Sequence, residues 1–584
     1  MGRKKRTATK RAEKKTSLVD IMPYVFIIAV VPLIVYLYVD KLEPIEVSNW
    51  RGGDQYYDLL SWWKSRWFII ASSLGLCLFV IRSIQGRIQI GWKPGLHIPS
   101  ALYILFIILS TITSRYVSVA LNGFVARYEG MLVLLFYVLD MIILTSLVRD
   151  ERHLRIISGS LLVSAFIICL IGLSQLAGYN FFNTGFGKSL ILPARYTASE
   201  LDFKFGTMVY GTLVNPNYVG SYVALVFPIA VAAIFLARKT AFRIGAGILS
   251  ALLLVILIGS DSGAGLVGLG AGALIAVIYF RKYIFRHKII IILAAAVALA
   301  GLGLLGQRVM SEINAGIHGY YVEEIIIEGN SARIVSSTET LTVRHDAPYI
   351  TFHNADNHQL KIDVSDAEQG RTIRFIDPAY GKYTLTLSGE ILWVRNGEAE
   401  LALRIRQDSL ALVGNRGEDT QVIAKPEAIN VKGFEKLGSA RAYIWSRAIP
   451  LLKNKILVGS GPDSFAIEFP QDDYIGKINA YNTPYMIVDK AHNLYLQIAV
   501  NTGVLSLLAF MALIAVYAVS SVRLYFVRPG KSPSAYFGAA IFIGICSYLA
   551  AGLFNDSVIA VAPVFWALLG MGFACNSMSA REQK

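Results

Sequence analysis

The sequence predicts a mainly helical, polytopic membrane protein of about twelve transmembrane helices with an inserted β-sandwich. Three observations predict it. Of 584 residues, 55% are hydrophobic and only 16% are charged, whereas a soluble globular chain is about a quarter charged. The deficit comes from apolar runs that recur along the chain, each long enough to cross a bilayer. In one polar stretch the pattern changes to short, alternating, β-branched segments.

The expected spans lie near 21–39, 67–85, 99–113, 129–148, 155–176, 217–237, 243–260, 263–280, 288–306, 494–518, 535–554 and 557–576. The first is too long for a signal-peptide core and lacks a small-residue cleavage site, so it reads as retained. The net charge of +15 is concentrated in the leader, residues 1–20, and in short loops. Beside a first span that leader is topogenic and not a nucleic-acid patch, because basic residues stay cytoplasmic. With twelve spans, the basic loops around Arg82–Lys93, Arg149–Arg155, Arg238–Arg243, Arg281–Lys288 and Arg523–Lys531 all fall on the same side as the leader. The expected location is therefore the cell membrane, with both termini cytoplasmic and the large polar loop outside.

Cys77, Cys169, Cys546 and Cys575 lie in or at the ends of expected spans, so they read as packing residues and not as a disulfide framework. No spacing of histidines or cysteines matches a metal site. No metal or cofactor is expected.

The outer segment divides into a β-rich insert, 307–435, and a helical and loop region, 436–493, between membrane portions 21–306 and 494–584. In the insert, segments such as Glu324-Ile325-Ile326-Ile327-Glu328 and Tyr383-Thr384-Leu385-Thr386-Leu387 are separated by turn signals such as Gly329-Asn330 and Asn396-Gly397. Beyond it, Ser439 is an expected N-cap for a helix carrying Arg441 and Trp445 on one face. The turn Gly459-Ser460-Gly461-Pro462-Asp463 follows; without Gly-Lys-Ser/Thr it is no P-loop.

Ala491-His492-Asn493-Leu494-Tyr495 stands where the polar stretch re-enters an apolar run. It places at the membrane boundary the side chain whose pKa lies closest to neutrality. Arg127, Arg195 and Arg441 fall on the same side. Charge at a bilayer edge is costly unless paired or used, and a guanidinium fork suits phosphate oxygens. Arginines converging near one histidine suit a pyrophosphate leaving group. The bland alternatives are an interfacial helix-capping histidine and arginines that snorkel to water. Asn215-Pro216-Asn217 reads as a helix-entry turn that shapes a cavity. Trp445 reads either as part of the interfacial aromatic belt or as cavity lining.

Taken together, Asn215-Pro216-Asn217 with Gly220, Arg441…Trp445 followed by Gly459-Ser460-Gly461-Pro462…Phe465, Ala491-His492-Asn493…Tyr495 and the weaker Arg127-Tyr128-Glu129-Gly130 resemble the O-antigen ligase and polymerase family. The resemblance implies a GT-C-like membrane fold and a metal-independent glycosyltransferase. Its donor would be a polyprenyl-pyrophosphate-linked glycan, and its acceptor a hydroxyl of a glycan, lipid or protein; membrane lipid surrounds it. It implies His492 and Arg441 as catalytic residues and Arg127, Arg195 and Arg441 as pyrophosphate ligands. Asn215, Asn217, Trp445 and Asn493 would shape the cavity. Where many relatives carry an arginine after a Ser-rich turn, this chain has Ser260-Asp261-Ser262-Gly263, which leaves that turn a structural part. Ligase, surface-polysaccharide polymerase and protein O-oligosaccharyltransferase differ only in acceptor and stay open. A secondary transporter is the alternative of another class; few ionisable residues at mid-span speak against it.

Overall fold

The computed structural model describes residues 17–50, 53–88, 91–196, 208–281, 320–367, 370–530 and 532–583, with isolated residues 307, 310, 311 and 313. The basic leader through residue 16 and the expected span 288–306 lie outside the described residues.

In chain order, the first part of the membrane portion comprises α1 (Leu18–Ala29), α2 (Trp62–Ile84), α3 (Pro94–Ile112), α4 (Met131–Leu147), α5 (Glu151–Leu176), α6 (Pro216–Leu236), α7 (Thr240–Gly259) and α8 (Gly263–Tyr279). After the insert come α9 (Arg441–Leu451), α10 (Tyr474–Tyr481), α11 (Leu494–Thr502), α12 (Val504–Val522), α13 (Pro533–Ala551) and α14 (Ala562–Glu582). The protein is thus mainly helical with a β-sheet region. Among the described residues, seven helices are long and apolar enough to cross a membrane: α2, α3, α5, α6, α7, α13, and α12 with its extension to Val527. Three apolar helical segments are shorter, at Leu18–Leu33, Met131–Leu147 and Gly263–Tyr279.

Two expected spans are divided. The 21–39 run ends as a helix at Ala29, turns through Val31–Leu33 and becomes a strand at Tyr38–Lys41, paired with Gln55–Asp58. The 494–518 run breaks at Gly503, whose φ of +106° suits a residue without Cβ. Hydropathy alone did not reveal either break, since both lie within apolar sequence.

Small residues set how closely the helices cross. A Cβ on Gly220 of α6 would sit 2.8 Å from the Gly265 Cα of α8, and one on Gly268 would meet the Ser547 carbonyl of α13 at 2.5 Å. Such close backbone approach is how membrane helices gain packing energy when lipid is as apolar as the helix surface. Polar caps start these helices: the Asn215 side chain accepts from the Asn217 N–H, Ser262 from Gly265, Ser532 from Ala535 and Asn493 from Leu496. The expected Ser439 cap is not formed. Ala440 takes that position in the left-handed region, without a side-chain hydrogen bond.

The insert contains a four-stranded antiparallel sheet spanning 322–353 and a seven-stranded antiparallel sheet spanning 362–420, each connected strand to neighbouring strand. Val322, Ile334, Val343, Leu385, Leu392 and Leu403, from both sheets, share one hydrophobic core with Tyr474 and Ile478 of α10. The Asn479 side chain clasps the Val322 N–H and carbonyl at 2.8 and 2.9 Å. At the other end of α10, Arg447 of α9 pairs with Asp473 at 2.8 Å. The insert is therefore seated on the segment that carries the candidate site.

Candidate active site at the membrane boundary

The local sequence holds His492 from both sides. Asn493 caps α11 with its side-chain oxygen and donates its amide to the Leu553 carbonyl at 2.9 Å. Leu494 N–H donates to the Gly552 carbonyl at 2.7 Å. On the other side, Ala491 N–H donates to the Gln497 side chain at 2.8 Å, and its carbonyl accepts the Trp445 indole N–H at 2.9 Å. His492 itself has a φ of +48°, a sparsely populated conformation for a residue with a Cβ that persists when its surroundings over-determine it.

The imidazole is 24% exposed, with Nδ1 3.9 Å from Asp556 Oδ1. Burial pushes its pKa down to about 4, helped by Lys490 and opposed by Asp556. The ring is accordingly neutral at pH 7, the form that accepts a proton. Asp556 lies in the polar break Asn555-Asp556-Ser557 between α13 and α14. Its Oδ1 also accepts from Tyr218 at 3.1 Å, and its Oδ2 is ion-paired with Arg127 Nη1. Burial opposes its charge, but Arg127, Lys490 and His492 hold its pKa below the ordinary carboxylate value.

Arg127 is 5% exposed and surrounded by acids. Its Nε donates to Asp463 at 2.6 Å and its Nη2 to Glu129 and the Ser557 carbonyl, each at 3.3 Å. Asp463, from the Gly-rich turn, also accepts the backbone N–H groups of Phe124 and Glu129 at 3.0 and 3.1 Å. The turn and the Arg127 loop thus form one clasp. The turn also meets the C-terminal end of α11, through Ser460 N–H to Val500 and Gly461 N–H to Asn501. A Cβ on Gly459 would lie 2.2 Å from the Asn501 carbonyl carbon.

Arg441 opens α9. Its Nε and Nη1 donate to the Phe554 and Gly438 carbonyls, both at 2.8 Å. Four residues on, Trp445 packs against Phe554 with ring centroids 6.0 Å apart. One face of α9 therefore touches both loops that frame His492. Lys490 pairs with Asp489 at 3.3 Å and lies 5.7 Å over the Tyr218 ring. Burial would lower its pKa, but Asp489, Tyr218 and Asp556 raise it above the ordinary lysine value, so it stays a cation.

His492, Asn493, Arg441, Trp445 and Arg127 are thus joined in one corner. Asn215 and Asn217 border it, since Asn555, next to Asp556, donates its amide to the Asn217 carbonyl at 3.1 Å. Arg195 takes no part in these contacts; it is exposed and lies 5.0 Å over the Tyr196 ring. Sequence reasoning did not single out Asp463, Lys490, Tyr218, Gln497 or Asp556 as site residues. Asp463 and Lys490 stand beside motifs already singled out, and the Asn-Asp-Ser break between two apolar runs was a readable signal for Asp556. Among the described residues, no cluster of three or more histidine, cysteine, aspartate or glutamate side chains could hold a metal ion.

Residues 407–511 match the family model described as O-antigen ligase. Over those residues the chain is similar to the O-antigen ligase family, as its motifs led us to expect. The matched stretch runs from the last strands of the insert through α9, the Gly-rich turn and His492 into α12. The match supports membrane glycosyl transfer of the O-antigen ligase type in general. No curated protein matches the chain.

Proposed function

We propose that the protein is a metal-independent membrane glycosyltransferase that moves a polyprenyl-pyrophosphate-linked glycan to an acceptor hydroxyl on the outer face of the cell membrane. The observation that carries this reading is the neutral, doubly pinned His492, set 3.9 Å from Asp556 and beside the cations Arg441 and Lys490. In this reading the chain crosses the membrane twelve times, with both termini cytoplasmic. The two sheets form a sandwich outside the membrane.

The acceptor oxygen attacks the anomeric carbon while its proton passes to the neutral imidazole. The bond from that carbon to the pyrophosphate oxygen breaks, and polyprenyl pyrophosphate leaves. Asp556 lies within ion-pairing reach of the imidazolium so formed. Arg441 and Lys490 supply positive charge where negative charge builds on the leaving oxygens, in a site that water reaches poorly. An anionic donor arriving beside His492 raises the proton affinity of the imidazole, so the base strengthens when the donor is bound. Arg127 acts here as a strut that holds Asp556, not as a pyrophosphate ligand, and Arg195 has no role in the step.

The test is surface-glycan profiling of a deletion strain complemented with the wild-type gene or with His492→Ala. We expect the variant to insert in the membrane and leave the glycan unrestored. Single repeats retained on the carrier would identify a polymerase, and long unattached chains a ligase. Full restoration by the alanine variant would sink the catalytic histidine and turn attention to a transporter.

A further inference from the structure

A cavity of about 530 Å³ lies at the opposite end of α11 from His492. Its walls come from separated parts of the chain: Arg115 after α3, Glu427 before α9, Arg447 and Lys455 from and after α9, and Ser460 and Glu468 from the Gly-rich turn onward. The bonds from Ser460 and Gly461 to Val500 and Asn501 fasten this wall to the end of α11. The nine residues of that helix span about 13 Å at about 1.5 Å per residue. His492 and the cleft are therefore the two ends of one rigid element. The cleft volume falls in the range of small-molecule sites.

Most of its charges are already matched. Glu427 pairs with Lys453, Glu468 with Lys455 at 3.0 Å, and Arg447 with Asp473 at 2.8 Å. Arg115 is exposed and forms no ion pair or hydrogen bond through its side chain among the described residues. The Ser460 hydroxyl is buried, also with no partner. A polar cleft that leaves one guanidinium and one hydroxyl unmatched is complementary to an oxyanion carried on a hydroxyl-rich molecule.

We propose that this cleft is a second glycan subsite that takes a carboxylate-bearing sugar and holds it on Arg115 and Ser460. Its place in the reaction rests on the transferase reading. A glycan reacting at His492 needs a polar track along the outer face for its other sugars, and α11 leads from one site to the other.

The test is calorimetric titration of the full chain in detergent with trigalacturonate and, separately, maltotriose. We expect trigalacturonate to bind at least about tenfold more tightly, the difference one guanidinium–carboxylate pair supplies. Arg115→Ala and Arg115→Glu should both abolish that preference. Because Arg115 is exposed, neither change disturbs packing, and an unchanged elution profile in size-exclusion chromatography checks this. Equal affinity for the two sugars, no binding of either, or a preference that survives both substitutions would overturn the proposal. Failure of the transferase reading has a different signature: glycan restored by His492→Ala while trigalacturonate still binds.

Discussion

Two ion-pair groups in this protein mirror each other. At the boundary corner one arginine, Arg127, faces three carboxylates, all with side chains 6% exposed or less. On the seven-stranded sheet one carboxylate, Asp419, faces two arginines, Arg404 at 2.5 Å and Arg406 at 2.7 Å, with side chains 21–47% exposed. The chemistry is the same and the surroundings differ. Around Asp419, water and salt screen the attraction, and each ion regains hydration if its partner is lost. Around Arg127 the side chains are buried, so every partner is needed to offset the burial of the others.

The largest expected effect follows from removing the centre of the buried group. Arg127→Ala leaves Asp463, Asp556 and Glu129 crowded without their counter-charge, and should cost about 3–5 kcal/mol of stability along with transfer activity. Thermal unfolding in detergent measures it, and an unchanged midpoint would erase the contrast with Asp419. Asp463→Asn keeps the shape of the clasp but weakens three hydrogen bonds at once; about 2 kcal/mol is expected in the same assay. Trp445→Phe keeps the ring near Phe554 but drops the bond to the Ala491 carbonyl. Stability should fall by about 1 kcal/mol, while the transfer rate falls about tenfold as His492 loses its fixed position. Equal activity would mean that Gln497 and Asn493 hold the loop unaided.

Burial also sets a pH dependence. His492 has a folded-state pKa of about 4 against an ordinary 6.5. Between those values the unfolded chain takes up a proton that the folded protein refuses, so this histidine lowers stability as pH falls from 6.5 towards 4. Activity follows another course. The acid limb of kcat/KM, which reports the free enzyme, should lie near pH 4, and that of kcat should lie higher because bound pyrophosphate favours the imidazolium. Coincident limbs near pH 6.5 would mean that water reaches the ring freely. The smallest effect is expected on the sheet, where Arg406→Ala should leave the melting midpoint where it is; a clear fall would show that exposure alone does not separate the two groups.

Much of the helical plan was legible because it is local. An apolar run long enough to span a bilayer, an asparagine before a proline, or an alternating β-branched stretch between glycine turns constrains the chain within a few residues. The Asn215 cap and the sheet turns at Gly329 and Gly397 are of this kind. The break at Gly503 and the strand at Tyr38–Lys41 were hidden because each sits in apolar sequence that hydropathy reads as continuous.

The sequence by itself placed His492 and three arginines, Arg127, Arg195 and Arg441, on one expected side, since span order and loop charge assign segments to sides. Only the tertiary structure decided which of them meet and what each touches. Arg127 finds Asp463 and Asp556 across 336 and 429 residues of chain, and the strut role proposed for it rests on these acids. Arg441 meets the Phe554 and Gly438 carbonyls through its Nε and Nη1, which orient its fork. Charge compensation in a dry interior depends on distances of a few ångströms between remote segments, and only the packed chain sets those distances.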